Sequence, residues 1–271
     1  MKKTILFGGT GLIVAIGMLA FGYVAGETRT AQANDAPVVV AQASDAKLDR
    51  AQVETIVREY LLDNPEMLLE MQGALEARQK EEQRVAGLEA ITQNKDAIFN
   101  AATDGVVGNP DGDVTIVEFF DYNCGYCKRA LEDKRAMVAA DPNLRFVLKE
   151  FPILGPDSQK AHLVSMAFHK LMPEKFAEFH DQLLGGQGRA GEDSAMAIAV
   201  SLGADENAMR EAMKDPSIME TFAKTYELAN QLQITGTPSY VVGNEVVFGA
   251  LGQEVLSEKV AAARACLDTG C

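Results

Sequence analysis

The sequence predicts an α/β sheet domain with an inserted helical block, preceded by an N-terminal helical segment. Three observations carry that prediction: an apolar, β-branched run from Val114 to Phe120 that leads straight into helical composition; a second strand-like run from Leu144 to Phe151; and a return to strand pattern at Ser239 after a long helical stretch.

The elements follow in chain order. Met1-Lys2-Lys3 and the apolar stretch from Ile5 to about Gly26 read as an export signal, with Ala31-Gln32-Ala33 as a small-residue cleavage site. Because that stretch is long enough to cross a bilayer, which takes about 20 residues, residues 1–33 are either a signal peptide or a signal anchor. Both place the rest of the chain in the periplasm or another exported, oxidising compartment, free or tethered. Residues 34–47 have linker composition.

Residues 48–100 form the N-terminal helical region. Asp49 can cap a helix whose Val53, Ile56, Val57, Tyr60 and Leu61 share one face, and Asp63-Asn64-Pro65 ends it and starts another. Leu61, Leu68 and Leu75 then fall seven apart. Two short amphipathic helices ahead of a complete domain need a surface to cover their faces, either their own domain or another protomer.

Residues 101–271 form the sheet domain. The turn cluster Gly108 to Asp113 precedes the first strand, helical composition runs from Gly125 to about Ala140, and Pro152 closes the second strand. An insertion at about 158–230 is helical, with glycine breaks at 185–191 and Gly203. Ser239 to Val242, the turn Gly243-Asn244 and Glu245 to Phe248 read as a hairpin, and a helix from about Gln253 to Leu267 closes the chain.

At 271 residues the chain exceeds what a small disulfide-held scaffold would need. The net charge is −14, and residues 1–33 contribute +2 of it through Lys2, Lys3, Arg29 and Glu27, so the remainder carries −16. Nothing in that balance suits a nucleic-acid partner.

The chemistry rests on Cys124-Gly125-Tyr126-Cys127. This spacing also serves half of a zinc site, but zinc needs two further ligands. Cys266 and Cys271 lie at the far end, and His162, His169 and His180 sit in helical sequence with no evident tie to the pair. The redox reading asks for a first cysteine at a helix N-terminus just after a buried strand, where backbone N–H groups stabilise a thiolate. Cys124 meets that demand as an exposed attacking thiol, and Cys127, one turn later, can resolve a mixed disulfide. No metal and no cofactor is called for. The methionines of the helical regions, Met166 and Met209 among them, have core filling as the default reading.

The segment Phe119-Phe120-Asp121-Tyr122-Asn123-Cys124-Gly125-Tyr126-Cys127-Lys128 resembles the active site of the DsbA-like thiol-disulfide oxidoreductases of thioredoxin-like fold. Its Gly-Tyr dipeptide is also that of the DsbC isomerases. Thr235-Gly236-Thr237-Pro238-Ser239-Tyr240 resembles the cis-proline loop of the same superfamily. The resemblance implies that Thr237 and Pro238 form a substrate platform and that Glu118 is a buried acid relaying a proton to or from Cys127. It also implies Lys149 as a partner for Glu118. Residues 48 to 92 resemble the N-terminal region of the ScsC, suppressor-of-copper-sensitivity, proteins, which implies a homo-oligomer.

Cys266 and Cys271 match nothing in the family; a local structural disulfide is the plainer reading and a redox relay the other. Three functions are then expected in competition. The first is an exported oxidoreductase of isomerase or reductase character, acting on misbridged proteins and kept reduced by a membrane partner. The second is a monomeric dithiol oxidase acting on reduced exported proteins. The third is a non-catalytic protein that binds copper or zinc.

Overall fold

The computed structural model describes residues 49–269; the expected signal segment, the linker and Cys271 lie outside them. Among the described residues, those up to Glu59 fall in one unit and those from Tyr60 onward in a second, the boundary lying within the first helix. Helix α1 (Arg50–Asp63) begins with a reciprocal cap. Asp49 Oδ1 accepts from the Gln52 N–H at 2.9 Å, and Gln52 Oε1 accepts from the Asp49 N–H at 3.1 Å. The apolar stripe read from the sequence is present and exposed, Val53 and Ile56 included.

Helix α2 (Met67–Gln93), in the second unit, exposes Leu68, Met71 and Leu75 near its start and buries Gly87, Ala90 and Ile91 near its end. There Gly87 lies against the Val246 side chain. A short helix α3 (Lys95–Phe99) and strand β1 (Gly105–Gly108) follow. The sequence pattern includes α3 within the helical region 48–100 but gives no sign of β1. A four-residue strand with glycine at both ends has little pattern to detect, and Gly105 is needed because a Cβ there would fall 1.8 Å from the Phe176 ring.

The expected core elements come next: β2 (Val114–Phe120), α4 (Gly125–Ala140) and β3 (Leu144–Glu150). The insert comprises α5 (Pro156–Leu171), a 3-10 turn (Pro173–Lys175), α6 (Phe176–Gly185), α7 (Glu192–Ser201), α8 (Glu206–Ala212) and α9 (Pro216–Gln231). The chain ends in the hairpin β4 (Ser239–Val242) and β5 (Glu245–Phe248) and helix α10 (Gln253–Thr269). Gly243, at φ 58°, supplies the positive φ for the two-residue turn.

The sheet order is β1-β3-β2-β4-β5, with β2 and β3 parallel and every other pair antiparallel. This is the thioredoxin-like arrangement expected of a βαβ unit followed by a hairpin. Side-chain alternation then sorts the core. Val114, Ile116, Leu144 and Phe146 pack with Met137 of α4 and with Leu256 and Val260 of α10. Val117, Phe119 and Val147 face the other way, onto Ala90, Ile91, Ile98 and the Leu228–Leu232 end of α9. A third cluster joins Phe120, Tyr122 and both cysteines to the insert helices.

Candidate active site

The loop from β2 to α4 is shaped by Asp121, whose buried carboxylate satisfies three donors. Oδ1 accepts from the Asn123 N–H and the Ser158 hydroxyl, both at 2.8 Å, and Oδ2 accepts from the Leu154 N–H at 2.9 Å. The Asn123 side chain in turn pairs twice with Ala190. Its Oδ1 accepts from the Ala190 N–H at 2.7 Å, and its Nδ2 donates to the Ala190 carbonyl at 2.9 Å. Lys128 Nζ donates to the carbonyls of Gly186 and Gly188. The glycine-rich break read from the sequence is thereby fastened to both ends of the cysteine motif.

Cys124 is the N-cap of α4, and both thiols are free. The Cys124 Sγ–H donates to the Thr237 carbonyl at 3.1 Å, and the Thr237–Pro238 bond is cis. Pro238 is fixed from its far side, where its carbonyl accepts from the Gly249 N–H at 3.0 Å. Contrary to the sequence reading, Cys124 is not openly exposed: only 6% of it is accessible, because the Thr237 loop lies against it, and Cys127 is fully buried.

The two thiols diverge strongly. Cys124 is lowered from 9.0 to about 5, first by a hydrogen bond from the Cys127 thiol, then by the Thr237 side chain and the Cys127 and Tyr126 N–H groups, against an opposing effect of burial. Cys127 is pushed well up, chiefly by burial, with the hydrogen bond to Cys124 and the charge of Glu118 adding to it. Tyr126 between them is 59% exposed, with the Arg129 guanidinium 4.2 Å from its ring centre.

Glu118 is buried, but its partner is not Lys149. Lys134 Nζ donates to Glu118 Oε2 at 2.9 Å, both side chains being almost wholly inaccessible. The register explains the correction. Glu118 stands opposite Leu148, so Lys149, one residue on, projects from the other face of the sheet. There it pairs with Asp104 and the Ala97 carbonyl. Burial raises Asp104 to about 6 against the lowering effect of Lys149.

Lys134, His180, Tyr122, Ser165, Glu150 and His162 form a connected buried network that the sequence reading passed over. One signal was there to be read: Cys127, Ala130, Leu131, Lys134 and Met137 are the buried stripe of α4, so a lysine occupies a core position. Cys266 is disulfide-bonded, while its expected partner, Cys271, lies outside the described residues. His162, His169 and His180 do not gather around the cysteines as a ligand set, and among the described residues no group of three or more His, Cys, Asp or Glu is placed to hold a metal ion.

Residues 115–261 match the family model described as the DSBA-like thioredoxin domain. The chain belongs to that family. Residues 49–82 match a second model, the N-terminal domain of copper resistance protein ScsC. Among solved structures, a thioredoxin-like oxidoreductase from Silicibacter pomeroyi DSS-3 is 41% identical, with a TM-score of 0.61 over 64% of this chain and 98% of that one. A thiol-disulfide exchange protein from Wolbachia pipientis is 30% identical, with a TM-score of 0.61 over 67% and 97%. Proteus mirabilis ScsC in a transitional conformation is 29% identical, with a TM-score of 0.60 over 82% and 99%.

A curated relative named as a Na(+)/H(+) antiporter, from Salinispora arenicola, is 29% identical over 162 residues, which is 59% of this chain and 24% of that protein. The chain thus spans about a quarter of that relative's length. Among the described residues no helix is long and apolar enough to cross a membrane. Family and geometry together identify the domain as a thiol-disulfide oxidoreductase domain.

Proposed function

We propose that the chain is an exported thiol-disulfide oxidoreductase of isomerase or reductase character, acting on misbridged client proteins and kept reduced by a membrane redox partner. The observation that carries the disulfide-exchange chemistry common to both directions is the asymmetry of the pair: a thiolate-prone Cys124 beside Thr237, over a sealed Cys127. Cys124 attacks a client sulfur, Cys127 resolves the mixed disulfide, and Glu118 takes or gives the Cys127 proton. Backbone groups at Thr237, beside Pro238, pair with an extended client segment and so tolerate varied sequences.

Isomerase character is supported by the match of residues 49–82 and by the exposed apolar residues of α1 and early α2, which suit a homo-oligomer holding several sites around one client. Cys266 and Cys271 fasten the C-terminal tail. A second reading, a dithiol oxidase, draws on Cys124 itself: stabilising its thiolate stabilises the reduced state and so makes the disulfide more oxidising.

Two assays on the exported chain separate these readings: recovery of a scrambled-disulfide protein and oxidation of a reduced one. Faster recovery than oxidation supports the isomerase, and the reverse supports the oxidase. Retention of both activities in Cys124→Ala removes both readings. A solution mass that is monomeric with and without residues 44–92 removes the oligomer.

A further inference from the structure

Resolution of a mixed disulfide needs the Cys127 proton to leave while a client covers the Cys124 face. Glu118 is faced by Cys127 and Lys134 from α4 and by Tyr240 from β4. Lys134 Nζ lies 2.9 Å from Glu118 Oε2 and 2.8 Å from His180 Nε2 on α6. Burial, then Lys134 and then His162 hold His180 well below the usual imidazole range, so its Nε2 accepts from the ammonium.

The remaining bonds share one direction. His180 Nδ1 is 3.4 Å from the Tyr122 hydroxyl, which meets Ser165 Oγ at 2.8 Å, and Ser165 Oγ–H donates to Glu150 at 2.6 Å. His162 closes the chain: its Nε2 accepts from the Tyr122 N–H and its Nδ1 bonds Glu150. Each side chain in this chain is hydrogen-bonded to the next, which fixes His180 and, through it, Lys134.

Lys134 and His180 also line a cleft of about 260 Å³ between α4, α6 and β1. Its lining runs from these buried groups out to Ala139, Ala177 and the exposed Arg135–Asp181 pair. The cleft lies on the β1 side of the sheet, whereas the Thr237–Pro238 loop leads into β4 on the other. Lys134 is also ten residues beyond Cys124, about 15 Å along the helix axis.

We propose that Lys134, held by His180, is the exit through which the Cys127 proton reaches solvent by way of this cleft while a client occupies the Cys124 face. The inference rests on the reading of Glu118 as the acid next to Cys127. The Cys127 thiol gives its proton to the Glu118 carboxylate. Its thiolate attacks Cys124 Sγ, forming the Cys124–Cys127 disulfide and breaking the bond to the client, whose sulfur leaves with the electron pair. Lys134 then releases one proton to water in the cleft as it accepts the proton from Glu118. The dithiol loses two electrons to the client, one proton reaches solvent, and the Glu118–Lys134 pair regains its charges. In the opposite direction of exchange every step reverses.

The test is the release rate of a disulfide-linked 20-residue peptide from Cys124 in the full exported chain, with glutathione as a small second leaving group. Lys134→Arg keeps the charge but not a releasable proton, since a guanidinium does not deprotonate in proteins. It is expected to slow peptide release at least tenfold and to flatten its pH profile; release at the wild-type rate overturns the proposal. Ala139→Phe with Ala177→Phe narrows the cleft without touching the buried groups. Slower peptide release with glutathione release intact supports the route, whereas unchanged peptide release, or equal slowing of both leaving groups, overturns it. Glu118→Gln is the control for the underlying reading: if it slows neither leaving group, the acid role of Glu118 fails, and if it alone slows both, only the Lys134 exit fails.

Discussion

Replacing Cys127 with alanine removes the largest contribution holding Cys124 as a thiolate and leaves the Thr237 side chain and the N–H groups of the first helical turn in place. The wild-type thiol, lowered to about 5, is about 99% ionised at pH 7, against about 1% for a thiol at 9.0. That hundredfold gain in reactive fraction does not become a hundredfold gain in rate. Nucleophilicity falls with basicity by a Brønsted slope of about 0.4–0.5, so a thiolate four pH units less basic attacks about 40–100-fold more slowly. At pH 7 the two effects nearly cancel.

The difference therefore shows at low pH. At pH 5 about half of the wild-type Cys124 is thiolate, against about one part in ten thousand for a thiol at 9.0, and after the nucleophilicity correction a net advantage of about 50–125-fold remains. Iodoacetamide alkylation of the reduced protein, followed together with thiolate absorbance, is expected to have its midpoint near pH 5. In Cys127→Ala the midpoint should move up but stay below 9, and the pH 5 advantage should shrink accordingly. A wild-type midpoint at pH 8 or above would refute the helix-terminus argument. Identical midpoints for wild type and variant would refute the part assigned to Cys127.

The same titration links to stability. Cys124 is lowered in the folded state, so its contribution to the reduced fold is complete above pH 9 and lost as the pH falls through about 5; the excess thermal stability of reduced over oxidised protein should grow from pH 5 to 9. Lys134→Met strands the Glu118 carboxylate in the core and should cost about 3–5 kcal/mol in urea unfolding, with most of it regained on adding Glu118→Leu. Lys149→Met should cost a similar amount at pH 7 but less at pH 5, where Asp104, raised to about 6, takes up a proton. Equal costs at the two pH values would count against the pairing of Lys149 with Asp104.

What the sequence made legible follows from pattern length. β2 and β3 are seven-residue apolar strands around a helix, so the βαβ unit and its cysteine at the helix start could be read directly, as could the Asp49 cap and the glycine breaks of the insert. β1 is four residues, and its place beside β3 depends on Phe176 packing over Gly105, a contact between residues far apart in sequence. The partner of Glu118 differs from the sequence expectation for a related reason. Lys149 lies on the adjacent strand, but the parallel register turns it to the opposite face, while Lys134 was hidden two turns along the helix that carries Cys127.

That placement bears on how work is divided within the site. One helix start cannot favour ionisation of both thiols. Cys124 receives the free N–H groups at the terminus, and Cys127, one turn inward, is sealed by packing against Phe120, Tyr122 and the insert. A sealed thiol keeps its proton, so exchange through Cys127 is limited by how that proton leaves rather than by how readily Cys124 attacks. The costly polar groups are accordingly gathered behind Cys127, where the buried Glu118–Lys134 pair opens the polar network that continues through His180, Tyr122 and Ser165 to Glu150. If those groups served only to hold the fold, replacing the pair by apolar residues of like volume would leave the resolving step untouched. The proton argument requires the opposite: Glu118→Leu with Lys134→Met should recover stability and still resolve mixed disulfides slowly, with the slowing greatest below neutral pH, where the Cys127 proton is hardest to shed.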